Sequence, residues 1–223
     1  MDNDVSVKTK AVLVLKKIID TASYKQLEIL KPEFFKRVVG VLRNGIFHEG
    51  INAALHIMFA VCRWGKAQLM MVKAGAVFEL VELELWSPEK RTTELILGVL
   101  SNLCSRADGR AQLLSHVGGI AVVSKRILKV SLAADNRAIL ILSLICEYSR
   151  NIMVPQEMLM FRAVSKICKV LKVDCAPYLK DIAKEIPTSH FDVWKNSPCI
   201  DGSLLKRRAG SLSTPGWNNR SQS

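Results

Sequence analysis

Aromatic residues and metal-ligand spacings are both scarce in this chain. Aromatic side chains make up 6 % of the 223 residues, too few to stack a series of nucleic-acid bases. The six cysteines form no Cys-x-x-Cys pair. The four histidines show no ligand spacing either: His48, His56, His116 and His190. We therefore predict no nucleic-acid partner, no metal site, no cofactor and no catalytic residue.

Long apolar runs are missing as well. One of the longest, residues 138–146, is interrupted by Ser143 and falls far short of the roughly 18 residues that span a bilayer. The chain begins Met1-Asp2-Asn3-Asp4, without the basic and apolar regions of a secretory signal. We expect no transmembrane segment and a cytoplasmic or nuclear location.

Positive charge is in excess but is not concentrated. The chain has 32 Lys and Arg against 20 Asp and Glu, a formal net charge of +12, and the basic residues are spread along its length. A solvated basic exterior explains this distribution. An acidic protein partner and an anionic lipid surface remain open as alternatives.

The most informative pattern that is present is a repeat. Cys62, Cys104 and Cys146 are spaced 42 residues apart, and their neighbours repeat with them. The matching neighbours are Leu55, Leu97 and Ile139, then Met58, Leu100 and Leu142, then Val61, Leu103 and Ile145. A period of this length with helical spacing inside it indicates an armadillo- or HEAT-type solenoid, in which stacked units create an extended binding surface.

Each unit is predicted to contain a short, a medium and a long helix, which is the armadillo arrangement. The predicted helices are 5–19; 23–30, 33–42 and 52–64; 65–70, 75–86 and 89–104; 109–114, one from 118, and 135–148; then 156–161, 163–173 and 176–186. The predicted fold is an all-α, right-handed armadillo-repeat solenoid. Residues 1–186 would form about four units plus a partial N-terminal one, whose apolar helix face needs a cap or a neighbour.

The helical pattern is expected to stop at Pro187. Residues 187–223 are rich in proline, glycine and serine and include the basic run Lys206-Arg207-Arg208. We predict a C-terminal extension that is largely flexible. Its first part is expected to dock on the last repeat, with Trp194 as the anchor.

Several short stretches resemble the C-terminal armadillo region of plant U-box E3 ubiquitin ligases. The stretch Leu-Ser-Asn-Leu-Cys-Ser at 100–105 resembles the general armadillo consensus. The stretches that resemble the U-box ligases are Lys-Pro-Glu at 31–33, Leu-Arg-Asn-Gly at 42–45, Ala-Leu-His at 54–56, Cys-Arg-Trp-Gly at 62–65, Gly-Arg-Ala at 109–111, Leu-Ser-His at 114–116, Gln-Glu-Met-Leu at 156–159, Leu-Lys-Val-Asp-Cys at 171–175 and Val-Trp-Lys-Asn-Ser-Pro-Cys-Ile at 193–200. The resemblance covers about residues 5–200, and the last stretch is the most specific.

The resemblance implies a substrate-binding module. In such ligases a U-box recruits the ubiquitin-loaded E2 conjugating enzyme, and the armadillo stack holds the protein substrate. No U-box is found among these residues, so we expect a fragment or a product without one, and an E2 partner only if a longer form supplies the U-box. Enzyme status therefore stays open. The alternative is an armadillo adaptor or scaffold with no role in ubiquitin transfer, which the stretch at 194–200 disfavours.

The long third helix of each unit lines the concave groove in armadillo folds. Helix phase selects five candidate partner-binding residues in that groove: His56, Arg63, Asn102, Arg106 and Glu147. Nuclear-import receptors carry a Trp and an Asn four residues apart on this helix. The Trp-equivalent positions here hold His56, Gly98 and Leu140, and the Asn-equivalent ones hold Ala60, Asn102 and Leu144. Since only Asn102 is retained, an import receptor is not expected.

Overall fold

The computed structural model of the chain describes residues 2–43, 48–86, 89–148, 153–172 and 175–194. Regular structure in these ranges is entirely α-helical. The helices are α1 (Asp2–Thr21), α2 (Tyr24–Glu28), α3 (Pro32–Arg43), α4 (His48–Val61), α5 (Gly65–Lys73), α6 (Ala76–Leu85), α7 (Lys90–Cys104), α8 (Ala107–Ser115), α9 (Gly119–Arg126), α10 (Leu132–Tyr148), α11 (Met153–Met160), α12 (Ala163–Val170), α13 (Pro177–Ser189) and α14 (Phe191–Trp194).

The helices stack as four three-helix units behind one leading helix. The units are α2–α4, α5–α7, α8–α10 and α11–α13, and α1 precedes them. The long helices α1, α4, α7, α10 and α13 pack side by side in chain order, and the medium helices α3, α6, α9 and α12 form a second row. The predicted all-α solenoid of short, medium and long helices is confirmed.

The centre of the core on the long helices contains the residues that recur at the 42-residue period. Cys62, Cys104 and Cys146 are all buried at the end of their long helices, and so are the leucines and isoleucines that repeat with them. Burial raises the pKa of all three thiols to about 12. A buried thiol with such a pKa serves as a small packing group in the core.

Alkylation should reveal this protection directly. In the folded chain at pH 8, we expect iodoacetamide to leave Cys62, Cys104 and Cys146 unmodified for hours, because the three thiols are buried and burial raises their pKa to about 12. The half-buried Cys175 should react before them, and urea should expose all of them. Peptide mass spectrometry reads the modification at each site. Rapid labelling of Cys104 in the folded chain would contradict the assignment.

A repeated hydrogen bond joins α4 and α7 to the unit that follows each of them. Gln68 Nε2 donates to the carbonyl oxygen of Cys62 at 2.8 Å, and Arg110 Nη1 donates to that of Cys104 at 2.9 Å. These carbonyls lie in the last turn of a helix, where no backbone N–H is available to them. Two chemically different side chains therefore cap equivalent helix ends, which keeps the turn between units the same.

Some predicted helix boundaries are wrong. Helix α4 begins at His48 and ends at Val61, where the sequence predicted 52–64. Helix α10 begins at Leu132 and not at 135, because the Ser131 hydroxyl accepts the backbone N–H of Ala134 and so caps the helix earlier. Helix α11 likewise begins three residues before the predicted 156.

The helical pattern does not stop at Pro187, contrary to prediction. Helix α13 runs through Pro187 to Ser189, and the short helix α14 follows. Trp194 packs on the last unit as expected, with its side chain fully buried and its Nε1 donating to the carbonyl oxygen of Pro155 at 3.0 Å. The proline removes one backbone donor without ending the helix. The domain boundary at 186/187 stays a prediction, and residues 195–223, with the basic run, lie outside the described ranges.

Candidate partner-binding face

The row of long helices presents one continuous side, which we call the long-helix face: the exposed side of α4, α7 and α10. Two polar bridges at the N-terminal ends of these helices fix their spacing. Thr92 Oγ1 donates to Asn52 Oδ1 at 2.9 Å and joins α7 to α4. Asn136 Nδ2 donates to the Tyr178 hydroxyl and joins α10 to α13. These bonds link α4 to α7 and α10 to α13 near the start of the long helices.

Three helices meet at Gly98 in the middle of this face. The guanidinium carbon of Arg137 on α10 lies 5.3 Å from the centroid of the Phe59 ring on α4, a cation–π distance. Arg137 Nη1 also donates to the carbonyl oxygen of Glu94 on α7. A Cβ on Gly98 would come within 2.8 Å of the Phe59 ring. The absence of a side chain at Gly98 therefore lets Phe59 and Arg137 close over α7.

The region around His56 carries positive charge. Burial lowers the pKa of His56, and the charges of Lys16 and Arg91 lower it further, against a smaller opposing effect of Asp20. The imidazole is therefore neutral at pH 7, and it offers one N–H donor and one nitrogen acceptor to a partner. The side chain is half-buried.

The predicted groove residues divide into two groups. His56 and Asn102 lie on the long helices α4 and α7, and Glu147 lies at the exposed end of α10. Asn102 Nδ2 donates to the carbonyl oxygen of Gly98 at 2.8 Å, which fixes the orientation of its amide. Glu147 accepts a hydrogen bond from Tyr148 and thereby raises the pKa of that phenol. Partner binding by these three residues remains a prediction.

Arg63 and Arg106 lie in the turns that follow α4 and α7. The sequence placed Arg63 on a helix that ends two residues before it, so that placement is wrong. Arg63 lines a cavity of about 360 Å³ between α2, α3 and α5, together with Leu27 and Trp64. Arg106 is the residue before α8, and its Nε is buried without a hydrogen-bond partner among the described residues. The structure does not bring either arginine to the Gly98 region.

Sequence patterns missed Phe59 and Arg137, which dominate the centre of the face. Neither residue recurs at the 42-residue period, so no repeat marks them: position 101 and position 95 hold Ser101 and Leu95. The available signal was Gly98, a glycine inside a long helix where larger side chains are the norm. Such a glycine indicates that something approaches the backbone closely.

Gly98→Ala is expected to lower the free energy of unfolding by about 1–3 kcal/mol, because the new methyl group must displace the Phe59 ring. Urea denaturation followed by circular dichroism measures the change. Gly40→Ala in α3 is the matched control, since a Cβ there meets nothing within 4 Å. That control should be stabilised by about 0.5–1 kcal/mol. Equal effects at the two positions would exclude the proposed close approach.

Among the described residues, no three His, Cys, Asp or Glu side chains are placed to hold a metal ion. No helix in the described ranges is both long and apolar enough to cross a membrane.

Stacked three-helix units with a layer of long helices define an armadillo-repeat protein. The structure is similar to computationally designed armadillo repeat proteins for modular peptide recognition, with a TM-score of 0.66 and 16 % identity over 81 % of this chain and 74 % of the designed one. It is also similar, with a TM-score of 0.64 and 18 % identity over the same shares of the two chains, to a designed armadillo repeat protein in complex with the peptide (KR)4. These similarities establish the fold.

The chain belongs to the plant U-box protein ARM repeat family. The family described as "Plant U-box protein ARM repeat region" matches residues 1–209. The Arabidopsis thaliana E3 ubiquitin-protein ligase PUB24 is 39 % identical over 90 % of this chain and 52 % of its own length, and PUB23 from the same plant is 38 % identical over 87 % and 48 %. This chain therefore spans about half the length of these curated relatives.

Proposed function

We propose that the long-helix face holds a segment of a protein substrate, and that it does so as the recognition part of a U-box E3 ubiquitin ligase. The observation that carries this proposal is the preorganised centre of the face, where Arg137 is held by both Phe59 and the carbonyl of Glu94. A side chain fixed before binding loses little conformational entropy when a ligand arrives. Membership of the family supports the link to ubiquitin.

A bound segment would lie across the long helices in an extended conformation. An extended chain needs partners for its backbone groups, and Asn102 still offers one amide N–H and its oxygen after bonding to Gly98. Neutral His56 adds a donor and an acceptor on the neighbouring helix. Arg137 would stack on or pair with a side chain of the segment.

Peptide selection tests the binding part of the proposal. Extended peptides would be selected against the 223-residue chain, and their affinities measured by calorimetry. The double variant Asn102→Ala with Arg137→Ala is expected to lose at least about tenfold in affinity, equivalent to about 1.4 kcal/mol. The control is Lys73→Ala, an exposed position at the end of α5, which should bind as the wild type does. Selected peptides that are indifferent to the double variant would exclude this face.

Ubiquitin transfer is tested separately. A longer form carrying a U-box, with E1, E2 and ubiquitin, should modify a substrate that contains a selected peptide. The double variant should reduce substrate modification while leaving discharge of ubiquitin from the E2 unchanged, because the U-box supplies that step. Peptide binding without any substrate modification would favour the adaptor alternative.

We propose a cytosolic or nuclear location for the domain. The buried thiols of Cys62, Cys104 and Cys146 form no disulfide, which suits a reducing compartment. Fluorescence of a tagged full-length protein tests this, and secretion of the tagged protein would oppose it.

A further inference from the structure

One apolar row on α1 is open to solvent. Val7, Val14 and Ile18 are 59 %, 58 % and 56 % exposed, and Ala11 between them is exposed as well. These residues follow each other at intervals of three or four, so they lie on one side of the helix. We call this row the α1 stripe. A contiguous apolar surface of this kind in a water-soluble fold marks a contact with another element.

The repeat shows what normally covers such a row. Between α1 and α4 the matching interval is 43 residues, because it sets the buried Ile19 against the buried Cys62. At this interval the stripe corresponds to Gly50, Ala54, Ile57 and Val61, and all four are buried. The medium helix of that unit, α3, packs against α4. In the following units α6, α9 and α12 pack in the same way against α7, α10 and α13. By its position in the repeat, the α1 stripe corresponds to the side of a long helix that belongs to the interior of its own unit.

A cleft lies where the medium helix of that unit belongs. A cavity of about 280 Å³ between α1 and α3 is lined by Val12, Leu15, Phe34, Arg37, Val38 and Val41. On its other side α3 packs against α6, the next member of the medium-helix row. The cleft therefore continues an interface that already recurs along the molecule. Its lining is apolar except for Arg37, which suits a continuation of the same row.

The charged residues of α3 indicate what kind of helix would fit the cleft. Arg43 on α3 pairs with Glu79 on α6, with Nε to Oε1 at 2.8 Å, so neighbouring medium helices are joined by an arginine and a carboxylate. Arg37 is exposed at the edge of the cleft on the opposite side of α3. A medium helix in the cleft would be complementary if it carried an acidic residue facing Arg37.

We propose that the α1 stripe and the cleft seat a short and a medium amphipathic helix that precede α1 in a longer chain and complete its unit. The relatives are about twice as long as this chain, so such a segment has room in them. A second copy of the chain would bring one long helix, α1 itself, and would leave the place of the short helix empty. Covalent connection to the start of α1 also gives the helix pair a high effective concentration.

Thiol labelling at position 14 tests the proposal. Val14→Cys is made in the 223-residue chain and in two forms extended before α1, one by a copy of residues 65–89 and one by a copy of residues 23–47. These copies carry the short and medium helices of two units with the segments that follow them. A maleimide reagent and peptide mass spectrometry give the labelling rates. We expect the thiol introduced at position 14 to react at least about 100-fold more slowly in an extended chain than in the unextended one.

Two matched positions make the result specific. Lys17→Cys lies on the same helix but corresponds to Ala60 on the long-helix face, so its labelling should change less than about twofold. Ile57→Cys, buried in α4, should stay slow in every form. Light scattering reports the oligomeric state at the same concentrations.

Three results would overturn the proposal. Slow labelling of the Val14→Cys variant in an unextended chain that is dimeric would show that a second copy occupies the stripe. Fast labelling of the same variant in both extended chains, with the added helices formed, would show that the stripe does not receive them. Failure of both added helix pairs to fold, seen as unchanged helical ellipticity, would count equally against a seat for such a pair.

Discussion

Replacing Arg126 by methionine is expected to lower the free energy of unfolding by about 3–5 kcal/mol at pH 7, the usual consequence of removing one partner of a buried ion pair. Glu84 on α6 is only 1 % exposed, and its carboxylate is paired with the Arg126 side chain on α9. Arg126 Nη2 also donates to the Glu84 carbonyl oxygen at 3.1 Å, and Thr93 Oγ1 donates to Oε1 at 3.2 Å. Without Arg126, a buried charge remains between two units. Urea denaturation measures the loss.

The size of this loss should depend on pH in a definite direction. Burial raises the pKa of Glu84 above its ordinary 4.5, although Arg126 opposes that effect. In the variant the opposing charge is gone, so the pKa rises further and the folded chain binds a proton more readily than the unfolded one. Stability of the variant should therefore fall as pH rises from about 4.5 through the raised pKa. The difference in unfolding free energy between the variant and the wild type should therefore become smaller toward acidic pH.

Lys16→Met provides the control for Arg126→Met. Lys16 also pairs with a carboxylate, Asp20, but the side chains of both partners are partly exposed, at 31 % and 46 %. Water stabilises the carboxylate that remains, so the expected loss is only about 0.5 kcal/mol or less. Equal losses at Lys16 and Arg126, or a loss at Arg126 that does not vary with pH, would contradict the burial argument.

Trp194→Ala is expected to cost about 3–5 kcal/mol, because it removes the largest fully buried side chain of the C-terminal unit. The indole covers the edge of α11, bonds to the Pro155 carbonyl and meets the ring of His190 at 5.3 Å between centroids. Its removal should release α14 and expose the last unit. Hydrogen exchange should accelerate in α11 and α13 first, and denaturation gives the overall loss.

Trp194→Phe separates packing from hydrogen bonding at the same position. Phenylalanine keeps much of the apolar contact but leaves the Pro155 carbonyl without its donor. The expected loss is therefore smaller, with about 1 kcal/mol from the hydrogen bond. If a chain ending at Ser189 were as stable as the wild type, Trp194 would not be an anchor at all.

The architecture was predictable because it depends on a repeat, while much of the site was not. Positions such as Cys62, Cys104 and Cys146 are buried for the same reason in each unit, so period and helical spacing together predict the stack. The prediction that the helical pattern stops at Pro187 failed because a helix near its end tolerates one missing backbone N–H when a following residue, here Trp194, holds it in place. The residues around Pro187 do not indicate that Trp194 makes this contact.

The centre of the long-helix face depends on single residues from different units. Phe59 and Arg137 are 78 positions apart, and nothing in either neighbourhood indicates that they meet. Of the residues selected by helix phase, His56 and Asn102 do lie on the long helices. Arg63 does not, because α4 ends two residues before it. Helix phase predicts the side on which a residue lies only for residues that are inside the helix.

The two ends of the described stack are packed differently, so the stack is expected to unfold from one end. In a solenoid each unit is stabilised only by its neighbours, so the free energy is a sum of unit terms and interface terms, as in a one-dimensional Ising chain. In the described part of the chain Trp194 packs on the last unit, whereas the apolar row of α1 is open to solvent. Fraying should therefore start at α1 and move inward, and the units that carry Asn102 and Arg137 should be among the last to open.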